Sequence, residues 1–70
     1  MNGVVKYGEF NHTVSVRSLS ELNYVEMNLK LRNIQYEYID YDLISTYVRA
    51  LYGRADYSFK TFKEIIKKGV

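Results

Sequence analysis

The chain has 70 residues, of which 47% are apolar and 26% charged, and it carries a formal net charge of +2. This length allows one small domain, and the apolar content is too high for a disordered chain. The absence of cysteine excludes disulfides and thiolate metal sites, and the small charge does not by itself indicate nucleic acid or an anionic membrane.

The first elements form a predicted hairpin. A short strand is predicted over residues 3–7. In residues 10–17 apolar and polar side chains alternate with period two, which predicts a second strand, with a turn at Gly8-Glu9 between the two. The alternative is a single strand followed by a loop, because residues 11–13 are polar.

A helix is predicted from residue 18 to residue 32. Ser18 or Ser20 is its N-cap, with Glu21 in the first turn and Lys30 and Arg32 in the last, where the helix dipole favours those charges. The helix has two apolar stripes on nearly opposite sides. One comprises Leu22, Val25 and Leu29, and the other comprises Tyr24, Met27 and Leu31.

After a joint at Arg32-Asn33, residues 34–41 alternate and are rich in aromatic and β-branched side chains, which is typical of a strand. Ile34, Tyr36 and Tyr38 share one face. The other face also becomes apolar towards the end of the strand, so we expect this strand to lie in the middle of the sheet.

Two further helices are predicted in the second half. Asp42 caps a helix over residues 43–52 that ends at Gly53. Thr61 and Glu64 have the spacing of a capping box that opens a third helix, with Phe62, Ile65 and Ile66 as its apolar stripe. Residues 57–62 also alternate like a strand, so strand or helix stays open for residues 57–68.

These elements predict a single α+β or α/β domain over residues 1–70. Its sheet has about three strands with two to three packed helices, in the order β-β-α-β-α-α, or β-α-β-α-α if the hairpin is a loop.

The strand that ends in Tyr7-Gly8, the helix, and then residues 32–40, RNIQYEYID, resemble the first half of a glutaredoxin. In that family a "YG" strand and a "kGIxYexID" strand flank the helix behind the active site. Residues 43–54 look like the next helix with its "GR" exit, and residues 58–62 are similar to the run before the family's cis-proline. The resemblance implies a truncated glutaredoxin-like domain of the thioredoxin superfamily.

The chain departs from that family where the chemistry lies. Glutaredoxins use a Cys-x-x-Cys pair at the start of the first helix, because a low-pKa thiolate is the nucleophile. The corresponding stretch here is 15–18 or 19–22, and neither has a thiol. The cis-proline and the Gly-Gly loop that helps to hold glutathione are also missing. The resemblance therefore implies a scaffold without redox activity.

No catalytic, cofactor or metal site is expected. His12 lacks a sequence signature for catalysis and is better interpreted as an ordinary strand histidine. Asp40 and Asp42 are the only close acidic pair, and Asp42 is better explained as a helix cap. The four glycines are isolated, so there is no phosphate-binding loop. We expect no enzyme.

Protein binding is the predicted function. The second apolar stripe of the first helix suits an interface, because tyrosine and apolar side chains are enriched in such contacts. The candidate interface residues are Tyr24, Met27, Leu31 and Tyr41. The alternative is that the C-terminal helix covers this stripe through Phe59, Phe62, Ile65 and Ile66.

Nucleic-acid binding is the second possibility, since six of the ten basic residues fall in the last third of the chain. They are Arg49, Arg54, Lys60, Lys63, Lys67 and Lys68. The simpler interpretation is a solvated helix face.

The expected location is the cytoplasm. No apolar run is long enough for a membrane span, and the N-terminus lacks the basic start and apolar core of a signal peptide. The composition has no proline, no tryptophan and eight tyrosines, which with the short length favours a phage or mobile-element product. We therefore expect a small regulator or inhibitor that binds a host protein or itself, without membrane or metal.

Overall fold

The computed structural model of the chain describes residues 2–9, 12–40 and 55–69. The elements are β1 (Gly3–Tyr7), β2 (His12–Val16), α1 (Leu19–Leu31), β3 (Tyr36–Asp40), β4 (Ala55–Tyr57) and α2 (Phe59–Lys67). The four strands form one mixed sheet in the order β3-β1-β2-β4, which makes the described chain an α+β fold. The predicted helix over residues 43–52, with Asp42 and Gly53 at its ends, lies outside the described residues.

The hairpin of β1 and β2 is confirmed. The two strands pair antiparallel from Gly3 opposite Val16 to Tyr7 opposite His12. Gly8 and Glu9, the first two residues after β1, both have φ of 60°, which is the left-handed region. A Cβ at Gly8 would lie 2.9 Å from Cδ2 of His12, so glycine is required there by space as well as by conformation.

β3 lies at an end of the described strand order, so its prediction as the central strand is wrong. It pairs antiparallel with β1, which places β1 between β2 and β3. Because β2 and β3 are both antiparallel to β1, they run parallel to each other, and α1 connects them. In this inner position four of the five β1 residues are buried, whereas Glu37 of β3 is exposed.

β4 is a strand that the sequence pattern does not predict at residues 55 and 56. Its three residues pair parallel with β2, and Thr13, which is buried in β2, donates a hydrogen bond from its hydroxyl to the Asp56 carboxylate. Three residues are too few for an alternating pattern to be detected. The strand is therefore visible only through its pairing with β2.

α2 confirms the helical interpretation of the C-terminal segment, but its start differs from the prediction. Ser58 is the N-cap, and its Oγ accepts the backbone N–H of Thr61 at 3.2 Å. The helix therefore begins at Phe59, ahead of the predicted capping box at Thr61 and Glu64. Phe62 and Ile66 are the buried residues of this helix.

Of the two predicted N-caps of α1, the structure uses Ser18, and the helix ends at the predicted joint with Arg32 as its C-cap. Ser18 is the N-cap and accepts the N–H of Glu21 at 3.2 Å, while the Glu21 carboxylate accepts the backbone N–H of Arg17 at 3.0 Å. At the other end, the N–H of Ile34 donates to the Leu29 carbonyl at 3.0 Å and that of Asn33 to the Lys30 carbonyl at 3.1 Å. With Asn33 at φ of 56°, this is a Schellman ending.

Asn33 offers a test of that ending. Replacing it by glycine is expected to stabilise the fold by a few tenths of a kcal/mol, because glycine enters the left-handed region without strain. Replacing it by valine is expected to destabilise the fold by about 1–2 kcal/mol. Urea unfolding of the two variants measures the difference, and equal midpoints would contradict the assigned conformation.

The core lies between one face of the sheet and the two helices. The buried stripe of α1 is Leu22, Val25 and Leu29, as predicted. It joins the buried residues of α2 and of the sheet face beneath, which are Val5, Tyr7, Val14, Val16, Phe62 and Ile66. This packing turns the opposite side of α1 away from the sheet. Neither helix of the described ranges is long and apolar enough to cross a membrane.

Candidate protein interface

The outward side of α1 carries the three exposed large apolar side chains of the described residues. All exposed residues of this helix lie on one side of it, within an arc of about 120° at 100° per residue. They are Leu19, Ser20, Asn23, Met27, Lys30 and Leu31. We call this set the α1 outer face. Leu19, Met27 and Leu31 are 65%, 63% and 78% exposed, which is unusual for three large apolar side chains on one helix.

A shallow groove lies at the C-terminal half of the α1 outer face. Met27, Lys30 and Leu31 line a space of about 320 Å³. Lys30 is the only charged member of the face, and the half-buried Glu26 lies at its edge, one turn before Lys30. The groove therefore offers apolar contact beside a positive charge.

Tyr24 does not belong to the exposed part of the predicted interface. It is half-buried, and its ring packs edge-on against Phe59 of α2 with centroids 5.5 Å apart. α2 thus covers Tyr24, as the alternative interpretation expected, but leaves Met27 and Leu31 uncovered. Tyr41 lies outside the described residues.

Leu19 was missed as a member of this face. It precedes Asn23 by four residues, and Met27 and Leu31 follow at the same spacing. Residues four apart lie in one ridge along a helix, so this spacing was the available signal.

The basic candidates of α2 form a second surface, the α2 lysine face, defined by Lys60, Lys63, Lys67 and Lys68. All but Lys63 are exposed. The ammonium of Lys63 lies 5.2 Å from the centre of the Phe59 ring, in a cation–π contact. Glu64 is exposed on the same helix, so the positive potential of this face is reduced. Arg49 and Arg54 lie outside the described residues.

A cleft of about 440 Å³ opens where β2 and β4 end and the two helices begin. Three of the polar side chains that line it make contacts within the fold. Glu21 accepts the backbone N–H of Arg17, Asp56 accepts the Thr13 hydroxyl, and Ser58 caps α2. Helix capping and strand pairing therefore account for the carboxylates and for the Ser58 hydroxyl that line the cleft.

His12 is part of an aromatic stack across three strands. Its ring lies 5.3 Å from that of Tyr7 and 5.8 Å from that of Tyr57, and its Nδ1 is 3.3 Å from the Tyr57 hydroxyl. Tyr7 also packs edge-on against Phe62 at 5.7 Å. These contacts give His12 a structural role at the end of the core. No serine or threonine hydroxyl in the described residues is hydrogen-bonded to it.

Because the Tyr7 hydroxyl is buried, we expect the stability of the fold to depend on pH. Its burial, and to a lesser extent the charge of Tyr57, raise the pKa of Tyr7 to about 12 from 10.0. The folded chain therefore holds this proton more tightly than the unfolded chain does. The contribution is fully present below pH 10 and is lost as the pH rises to 12, by about 2 kcal/mol.

Urea unfolding between pH 9 and pH 12 measures this loss, with Tyr7→Phe as the control. The two proteins share every other side chain, so only the difference between them reports on Tyr7. A wild type and a variant that lose stability in parallel would contradict the raised pKa.

No group of three His, Cys, Asp or Glu side chains among the described residues is placed to hold a metal ion. Comparison of the chain with family profiles, with curated proteins and with solved structures finds no match. The glutaredoxin resemblance of residues 32–40 stays a prediction.

Proposed function

We propose that this protein is a small, non-catalytic regulator or inhibitor that acts by binding another protein through the α1 outer face. In this proposal the chain is phage-encoded and acts on a host protein in the host cytoplasm. The observation that carries the proposal is the exposure of Met27 and Leu31 on a helix whose opposite side is fully packed. When a partner covers side chains as exposed as these, their removal from water stabilises the complex.

The chemistry of the face indicates what the partner presents. Leu19, Met27 and Leu31 supply apolar contact, and Lys30 beside the groove supplies one positive charge. A complementary partner surface has apolar anchors that fit the groove and a carboxylate at its rim. An amphipathic helix laid along α1 meets this description, since helix pairs pack in this way in proteins.

Capture from a bacterial lysate tests the proposal. Tagged wild type is compared with Met27→Ser/Leu31→Ser and with Lys60→Ser/Lys67→Ser, which is a matched pair of exposed changes on α2. We expect the wild type and the α2 variant to retain one protein in stoichiometric amount after nuclease treatment. The α1 variant is expected to lose it, because the groove is then polar.

The purified partner is then titrated against the three proteins. Removing two exposed apolar anchors is expected to weaken binding at least tenfold, whereas the α2 variant keeps the wild-type affinity. Binding that survives Met27→Ser/Leu31→Ser would contradict the proposed face. Far-UV circular dichroism checks that each variant remains folded.

Nucleic-acid binding through the α2 lysine face is the second candidate. Three exposed lysines on one short helix favour this function. The negative charge of the exposed Glu64 and the contact of Lys63 with the Phe59 ring argue against it. If this candidate is correct, the captured material disappears with nuclease and affinity falls steeply with salt. Lys67→Glu/Lys68→Glu then abolishes binding, whereas Met27→Ser/Leu31→Ser has no effect.

A further inference from the structure

The α1 outer face has a pattern that is symmetric along the helix. Its six residues form three pairs that lie at equal distances on either side of position 25. Leu19 and Leu31 are each six positions away, Ser20 and Lys30 five, and Asn23 and Met27 two. A two-fold axis at the level of position 25 therefore brings every member of the face opposite another member.

We infer that the α1 outer face also binds a second copy of this chain, with the two α1 helices antiparallel about that axis. This inference rests on the proposed function because it uses the same face and names one of its partners. In the pair, Leu19 of each copy meets Leu31 of the other, and Met27 meets Asn23. Such a contact is isologous, so it closes as a dimer without further growth.

The geometry of the helix supports this pairing. Leu19, Asn23, Met27 and Leu31 are spaced four residues apart and form one ridge. Two ridges of this kind pack side by side when the helices cross at about 50°, the commonest class of helix packing. Three of the four ridge residues are exposed and apolar, so the contact between two copies removes six such side chains from water.

Charge is compatible with the same arrangement. Lys30 is the only charged residue of the face, and the symmetry places it opposite Ser20 of the second copy. The two ammonium groups are then ten residues apart along the helix axis, or about 15 Å at the helical rise. A parallel pairing would instead place the two lysines against each other.

The contact is small, so the dimer is weak. One four-turn helix pair lies at the low end of specific interfaces, and we expect a dissociation constant on the order of 100 µM. At lower concentrations the face is free for another protein. A second copy and a protein partner therefore compete for the same groove.

A charge-swap experiment tests both the dimer and its register. Leu19→Glu puts a carboxylate in the first turn of α1 and Leu31→Lys puts an ammonium in the last, and both changes suit the helix dipole, so the fold is preserved. Analytical ultracentrifugation of the wild type is expected to show a mass rising from one chain towards two between about 20 µM and about 1 mM. Each variant alone is expected to stay monomeric.

The equimolar mixture of the two variants is expected to regain the dimer. One of its two end contacts then pairs the introduced carboxylate with the introduced ammonium, and the other restores the original leucine pair. A mixture that stays monomeric while the wild type dimerises overturns the antiparallel register. A wild type that stays monomeric at about 1 mM overturns the inference itself.

These results are separate from those of the lysate experiment. A monomeric wild type that still captures a host protein through Met27 and Leu31 leaves the proposed function standing and removes only the dimer. A dimer that forms while no protein is captured leaves the self-association in place and contradicts the proposed regulator.

Discussion

Phe62→Ala is expected to unfold the chain at room temperature. Phe62 is fully buried, packs edge-on against Tyr7, and joins α2 to the sheet. Truncation of a buried phenylalanine removes about 3–5 kcal/mol of stability. A chain of this size without disulfides has a total stability of roughly the same size, so this loss is expected to unfold it.

Ile65→Ala is the matched control for this change. Ile65 lies three positions later in α2 and is only half-buried, so its truncation alters helix propensity in a similar way but removes less packing. Phe62→Leu keeps much of the buried area and is expected to remain folded. Far-UV circular dichroism and urea unfolding compare the three variants. A folded Phe62→Ala with a wild-type midpoint would show that α2 is not part of the core.

The local elements of the fold were predictable because their signals lie within a few residues. Ser18 and Asn33 mark the two ends of α1 by capping, and Leu22, Val25 and Leu29 mark its buried side by spacing. The hairpin was likewise visible from residue type and alternation, although its second strand begins at His12, two residues later than predicted. In each case residues close together in the sequence determine the structure, so the sequence pattern was enough to predict it.

The strand order was not predictable in the same way. β3 alternates strongly, yet it lies beyond β1, which is paired on both sides and has more of its residues buried. β4 exists through its pairing with β2 and through the contact of Thr13 with Asp56, residues 43 positions apart. Both features depend on contacts between residues that are far apart in the sequence. The periodicity of a short segment gives no information about such contacts.

The candidate interface was predictable in part for the same reason. Spacing identified Met27 and Leu31 as lying opposite the buried side of α1. Whether Tyr24 is exposed depends on Phe59, whose position follows from where β4 and α2 lie. The sequence can therefore define a helix face, but the neighbouring element decides which part of that face remains open.

Gly3→Ala is expected to destabilise the fold by about 3 kcal/mol, the upper range for overpacking a core. Gly3 is buried in β1, and a Cβ there would lie 2.5 Å from Cε1 and 2.7 Å from the hydroxyl of Tyr38. It would also lie 2.8 Å from the backbone oxygen of Ile39. Since one of these neighbours is main chain, rotation of the tyrosine cannot relieve every contact, and β3 must shift away from β1.

A double-mutant cycle with Tyr38→Ala separates the two sources of this strain. With the ring removed, Gly3→Ala is expected to destabilise the fold less, because only the contact with the Ile39 oxygen remains. Urea unfolding of the four proteins gives the coupling between the two positions. Additive effects would mean that the Tyr38 ring does not limit the space above Gly3. The edge strand would then be held against β1 by its backbone pairing alone, without a tyrosine that packs over a glycine of the neighbouring strand.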